Sequence, residues 1–167
     1  MKALVAVSSR HGGTQGIGER IAGVLRTVGV DAEVRAPDEV AELEPYDAVI
    51  VGSAVYLGRW LPEARQFVER HAHGLRVRRT WLFSSGPLGD PVVPAGEPPE
   101  VETLATLIGA RGRRVFAGSL AREALHLGER AMVRMSHAPY GDFRDWAGIG
   151  DWARQIAEEL RTVPAAR

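Results

Sequence analysis

A chain of 167 residues with 21 basic and 21 acidic side chains carries no net charge, which excludes a molecule-wide electrostatic grip on nucleic acid or a lipid surface. It is long enough to bury a core in one domain, and without cysteine it has no disulfide, thiolate metal site, cysteine nucleophile or iron–sulfur ligand to offer. Any redox chemistry would come from a cofactor. The apolar stretch after Lys2 is too short for a signal-peptide core or a membrane span, so the expectation is a cytoplasmic protein with no transmembrane segment.

In chain order, residues 3–7 (ALVAV) form a continuous apolar run, as expected of a strand covered on both faces. Ile17, Ile21, Val24, Leu25 and Val28 follow at helical spacing, and Gly29 stops the helix. DAEVRAP alternates and suits an edge strand. A short helical turn near Pro37 to Leu43 leads into YDAVIVGSAVY, the strongest strand, and then a helix from about Leu61 to His71. TWLFSS is a fourth strand, Val101 to Ala110 a helix, RRVFAGSL a fifth strand and Phe143 to Leu160 a last helix. Strict alternation implies parallel strands with right-handed crossovers, hence an α/β fold: a three-layer doubly wound sandwich on a five-stranded parallel sheet. One domain is expected over residues 1–163, with an insertion at about 120–141 and a disordered tail at 164–167.

Ligands in such sheets sit beyond the carboxyl ends of the strands. Three turns must converge there: SSRHGGT after the first strand, GSAVYLGRW after the third and SSGPLGDP after the fourth. The first opens directly into a helix, whose unpaired N–H groups and positive dipole end suit an anion such as phosphate; the plain alternative is an ordinary connection with Thr14 as N-cap. Tyr56 and Trp60 in the second turn offer surfaces for a planar ring, or are ordinary partly buried aromatics. The third turn offers backbone amides to a heteroaromatic edge. Together they describe a mononucleotide with a flat, polar head.

These stretches, with the run YDAVIVGSAVYLGRWLPEARQFVERH and the closing GDFRDWAGIGDWARQIA, resemble the flavodoxin family, and more closely its members related to menaquinone-dependent protoporphyrinogen oxidase. The resemblance covers nearly the whole chain. It implies FMN as cofactor, with phosphate held by Ser9, Arg10, His11, Gly12, Gly13 and Thr14. It places Ala54, Val55 and Tyr56 against the isoalloxazine ring, with backbone of Ser53 to Leu57 and of Ser85, Gly86, Pro87, Leu88 and Gly89 along its edge, and Ser53, Leu57, Gly58 and Trp60 join the cofactor-binding candidates. It further implies an FMN-dependent oxidoreductase of haem biosynthesis, acting on a small-molecule substrate or a quinone. The alternatives are an electron carrier serving a redox partner protein and a cofactor-free interaction module.

Two departures bear on that choice. Gly13 stands where the family commonly has a side-chain donor, so phosphate binding leans on backbone amides and Arg10; and SSGPLGDP has no aromatic residue to cover the second ring face. An open ring face favours an enzyme over a carrier, as does the balanced charge. No residue stands out as an obligatory acid or base, and no metal site is expected; His71 and His73 are read as complementing a helix dipole. Asp142, Asp145 and Asp151 are expected to cap or balance the last helix. Within the insertion, a helix from Leu120 to His137 would align Leu120, Ala124, Leu127, Ala131 and Met135 on one face and His126, Arg130, Arg134 and His137 on another. That helix either packs with a solvated basic side or borders the flavin, offering cations to an anionic substrate or a peripheral contact to a membrane surface.

Overall fold

The computed structural model describes residues 1–86, 88 and 96–162. The expected tail at 164–167 and the site positions Pro87 and Gly89 lie outside the described residues.

Five parallel strands make the central sheet: β1 (Lys2–Ser8), β2 (Asp31–Arg35), β3 (Ala48–Tyr56), β5 (Arg79–Ser85) and β6 (Gly112–Phe116), in the order β2-β1-β3-β5-β6. A two-residue strand, β4 (Arg59–Trp60), folds back antiparallel on the end of β3. Side chains of successive strand residues point to opposite faces, and the core divides accordingly. Ala3, Val5, Val7, Ile50, Trp81 and Phe83 face α1 (Gly13–Thr27) and α6 (Trp146–Thr162). Leu4, Ala6, Val49, Val51 and Leu82 face α2 (Pro62–Arg70), α3 (Ala72–Arg76) and α4 (Pro99–Ile108). This is the three-layer doubly wound sandwich. β2 is an edge strand, as its alternating sequence predicts. At Gly52 even a methyl is too large: an added Cβ would lie 2.0 Å from the Phe83 ring, which fills that space from the neighbouring strand.

Three sequence expectations need correction. RRVFAGSL is not one strand, because β6 ends at Phe116 and the chain turns at Gly118, whose backbone abuts that of Gly86 so closely that a Cβ would lie 3.2 Å from Gly86 Cα. Ser119–Leu120 instead forms β7, which pairs antiparallel with β8 (Gly141–Asp142) at the base of the insertion. The insertion's helix, α5 (Leu127–Ser136), begins later than expected, after a 3₁₀ turn at Arg122–Ala124 and extended backbone at Leu125 and His126. That break resets the helical phase: Leu125, Glu129 and Val133 turn inward, while Leu127 and Met135 of the expected apolar face are 83% and 81% exposed. His71, lastly, closes α2 with its ring 4.8 Å from that of Phe67, where burial and the neighbouring Arg70 lower its pKa and disfavour the cation that a dipole-complementing role calls for.

Candidate functional site

The first turn begins where β1 runs out of sheet. Gly12 takes a left-handed conformation (φ 80°) as N-cap of α1, and no side chain caps the helix. Thr14 is therefore already inside the first turn and is not the N-cap. The first intrahelical bond runs from the Gly16 N–H to the Gly12 carbonyl, leaving the amides before it directed out of the helix start. Beside them the buried Oγ atoms of Ser8 and Ser9 have no hydrogen-bond partner among the described residues. Buried hydroxyls are rarely left so; an exposed helix start beside orphaned hydroxyls is the chemistry of an anion cradle.

The second turn is a hairpin. Leu57 and Gly58, with φ of 51° and 74°, make a two-residue connection between the paired Tyr56 and Arg59. Its base is held from below. Ser53, fully buried, accepts from the Leu61 N–H at 2.9 Å and donates to the Ala54 carbonyl at 2.8 Å. Trp60 is 1% exposed, donates Nε1–H to Ser84 Oγ at 2.8 Å, and has its backbone N–H bound by Glu100 Oε1 at 2.7 Å. Trp60 therefore anchors the hairpin from within the core and offers no surface to a ring. Arg59 and Arg65 flank the same Glu100 carboxylate at 3.5 and 3.8 Å.

The turns after β3, β5 and β6 come into van der Waals contact. A Cβ on Gly86 would lie 3.0 Å from Val55 Cβ, and Gly118 abuts Gly86 in turn. Between these turns and α1 opens a cavity of about 540 Å³, within the range of small-molecule and cofactor sites. Of the predicted residues it gathers Ser9, Arg10, His11, Gly13, Thr14, Ala54, Val55, Tyr56, Leu57, Ser85, Gly86 and Leu88. Gly12, Ser53, Gly58 and Trp60 do not line it. Arg10 and Tyr56 meet across its mouth, the guanidinium carbon 4.5 Å from the ring centroid.

Much of the remaining wall comes from the insertion, whose expected basic face of His126, Arg130, Arg134 and His137 does not line the cavity. Gly118, Ser119, Leu120, Leu125, Glu129, Met132, Val133, Met135 and Ala138 line the cavity, with Leu61 from the second turn. Glu129 Oε1 lies 3.3 Å from His11 Nε2, tying α5 to the first turn. The His126 N–H donates to Glu129 Oε2 at 3.0 Å and, as the leading cause, holds the Glu129 carboxyl below the ordinary carboxylate range. This backbone-to-Glu contact three residues on marks the start of α5, and an H-x-x-E pattern was the available signal for it. Among the described residues no three His, Asp or Glu side chains come together as metal ligands would, and no helix is long and apolar enough to cross a membrane.

Of the acidic residues near α6, Asp145 caps it, accepting from the Gly148 N–H at 3.0 Å. Asp151 pairs with Arg154. Asp142 instead holds Arg144, which reaches back to the Gly13 carbonyl at 3.1 Å.

Comparison with known proteins agrees with this geometry. Residues 4–145 match the model of the flavodoxin domain family. Protoporphyrinogen IX dehydrogenase [quinone] of Escherichia coli is 25% identical over 174 residues, covering 94% of this chain and 95% of that one. An archaeal flavodoxin superposes with a TM-score of 0.68 at 17% identity, over 96% of this chain and 99% of that one. The flavodoxin of Streptococcus pneumonia TIGR4 gives 0.64 at 19% identity, over 95% and 99%. The sheet order, the open helix start after β1 and the family match over most of the chain lead to one conclusion: this chain belongs to the flavodoxin domain family.

Proposed function

We propose that the chain is an FMN-binding oxidoreductase that couples a small-molecule substrate to a quinone. The observation that carries this reading is the composition of the cavity between the three turns and α1 at the carboxyl edge of the sheet. One end is the uncapped start of α1 with the orphaned Ser9 hydroxyl, and the other is a largely apolar wall contributed by the insertion.

The residues fit the cofactor. Amides of the first turn, the hydroxyls of Ser9 and Thr14, and the charge of Arg10 would hold the phosphate; Ala54, Val55 and Tyr56 would meet the ring, and the turn at Ser85, Gly86 and Leu88 its edge. When bound, FMN supplies the redox chemistry, taking up hydride or single electrons and releasing them to an acceptor. The protein binds and orients, and excludes water from the ring with Leu125, Val133 and Met132. No aromatic residue occurs in the sequence of the turn after β5 to cover a bound ring, which is the feature that favours a substrate-admitting enzyme over a carrier.

The finer reading is a protoporphyrinogen dehydrogenase, and its support is the Escherichia coli relative bearing that name, 25% identical over most of both chains. Exposed Leu127 and Met135 beside Arg134 give α5 an amphipathic surface suited to the interface where quinones reside. The first test is the visible absorption spectrum after loading with FMN and desalting: two retained flavin bands are expected, and a colourless protein would refute the reading. The second is oxidation of protoporphyrinogen by the loaded chain with a soluble menaquinone analogue. A loaded chain that reduces protein acceptors but leaves the porphyrinogen untouched is an electron carrier.

A further inference from the structure

Gly13 leaves the first turn one side chain short, and the space is filled from elsewhere in the chain. A Cβ on Gly13 would lie 2.7 Å from Ser119 Oγ, closer than real Cβ atoms approach any neighbour. The Ser119 hydroxyl therefore stands directly against the position that the first side chain of α1 would take. It lines the cavity with Ser9 and Thr14, and it has no hydrogen-bond partner among the described residues.

Its placement is held by a specific set of contacts. Ser119 pairs with Asp142 across the β7–β8 ribbon. Asp142 accepts from Arg144 Nε at 2.8 Å and Nη2 at 2.6 Å, and Arg144 Nη1 donates to the Gly13 carbonyl at 3.1 Å. The same guanidinium packs 4.4 Å above the Trp146 ring at the start of α6. The ribbon, and Ser119 with it, is thus clamped to the residue whose missing side chain it replaces.

We propose that Ser119 is a phosphate ligand of this chain: its hydroxyl, delivered by the base of the insertion, supplies the donor that Gly13 lacks, with Asp142 and Arg144 as positioning residues. The proposal rests on the FMN reading above. It makes the insertion part of the phosphate end of the site as well as its apolar wall.

The test compares FMN and riboflavin affinities, read by flavin fluorescence quenching, with thermal midpoints as a check on folding. Ser119→Ala should weaken FMN roughly tenfold or more, the scale of one hydrogen bond to a charged group, and leave riboflavin unchanged. Gly13→Ala should do the same at little cost in thermal midpoint, because its new methyl displaces only the Ser119 hydroxyl. The double variant Gly13→Ser with Ser119→Gly moves the hydroxyl across to α1, where the next Ser119 atoms stand 3.4 and 3.7 Å away, and should recover most of the FMN affinity. Unchanged FMN binding in Ser119→Ala, or equal losses for both flavins, would overturn the proposal while wild-type FMN retention keeps the cofactor reading. A wild-type chain that binds neither flavin would overturn both.

Discussion

Tyr56 presents one ring face to the Arg10 guanidinium, so a planar ligand would meet the other. Tyr56→Ala should weaken FMN by about 1–3 kcal/mol in a fluorescence titration, the worth of burying an aromatic side chain. Arg10→Ala should cost FMN more than riboflavin; equal losses would mean that Arg10 acts only by steadying Tyr56. Far from the cavity, the Tyr46 hydroxyl is the leading cause that lowers the Glu33 carboxyl from 4.5 to about 2, with Arg35 and Lys2 adding to it. A lowered folded pKa stabilises the protein above the unfolded value. That contribution is complete above about 4.5 and disappears as pH falls toward about 2. Glu33→Gln should therefore flatten the acid limb of a stability-against-pH curve over that interval. At this scale the sequence showed which residue types gather at the sheet edge but not which way each side chain turns. Trp60 and Tyr56 lie four positions apart in one glycine-bearing turn, and only the hairpin geometry sends Trp60 into the core.

The β3–β4 hairpin keeps a leucine where its turn prefers asparagine or glycine. Leu57 at φ 51° is 76% exposed yet lines the cavity. A left-handed conformation costs a branched residue about 1 kcal/mol. Leu57→Asn, which creates the favoured Asn-Gly pair, should raise the urea midpoint by an amount worth about 1 kcal/mol. The same variant should weaken ligand binding if the leucine is kept for its apolar contact. Strands β1, β3 and β5 were plain in the sequence because central parallel strands are apolar throughout. The end of β6 was not, because the break follows from the approach of Gly118 to Gly86, a contact with a distant segment that local sequence does not register. The inward face of α5 was likewise hidden, since phase is lost at a 3₁₀ turn that periodicity does not register.

Across the whole molecule, the buried Arg79 joins distant parts of the chain. From the start of β5 its Nη1 donates to the Leu160 carbonyl at 2.9 Å, and Nη2 approaches the Met1 sulfur at 3.7 Å. Arg79→Met should lower stability by about 1.5–3 kcal/mol in denaturant titration, with hydrogen exchange rising first in the last turn of α6. The layer architecture was legible because alternation of elements and crossover handedness leave few topologies. The construction of the cavity was not, since a third of a ligand site can come from a segment whose own pattern describes only a surface helix.

The β7–β8 ribbon sets where the insertion can be cut. Leu120 and Gly141 are ladder partners, so the twenty residues between them leave and rejoin the domain at adjacent points. The excursion is a detachable module: replacing 121–140 by Asn-Gly would close a tight hairpin without moving either neighbour. The shortened chain should keep its far-ultraviolet circular dichroism, cooperative melting and first-turn cradle, and lose the cavity wall formed by Leu125, Met132 and Val133; if the proposed function holds, its choice of substrate should change with it. Transplanted between hairpin ends of the same geometry on a different family member, the module should carry that selectivity with it.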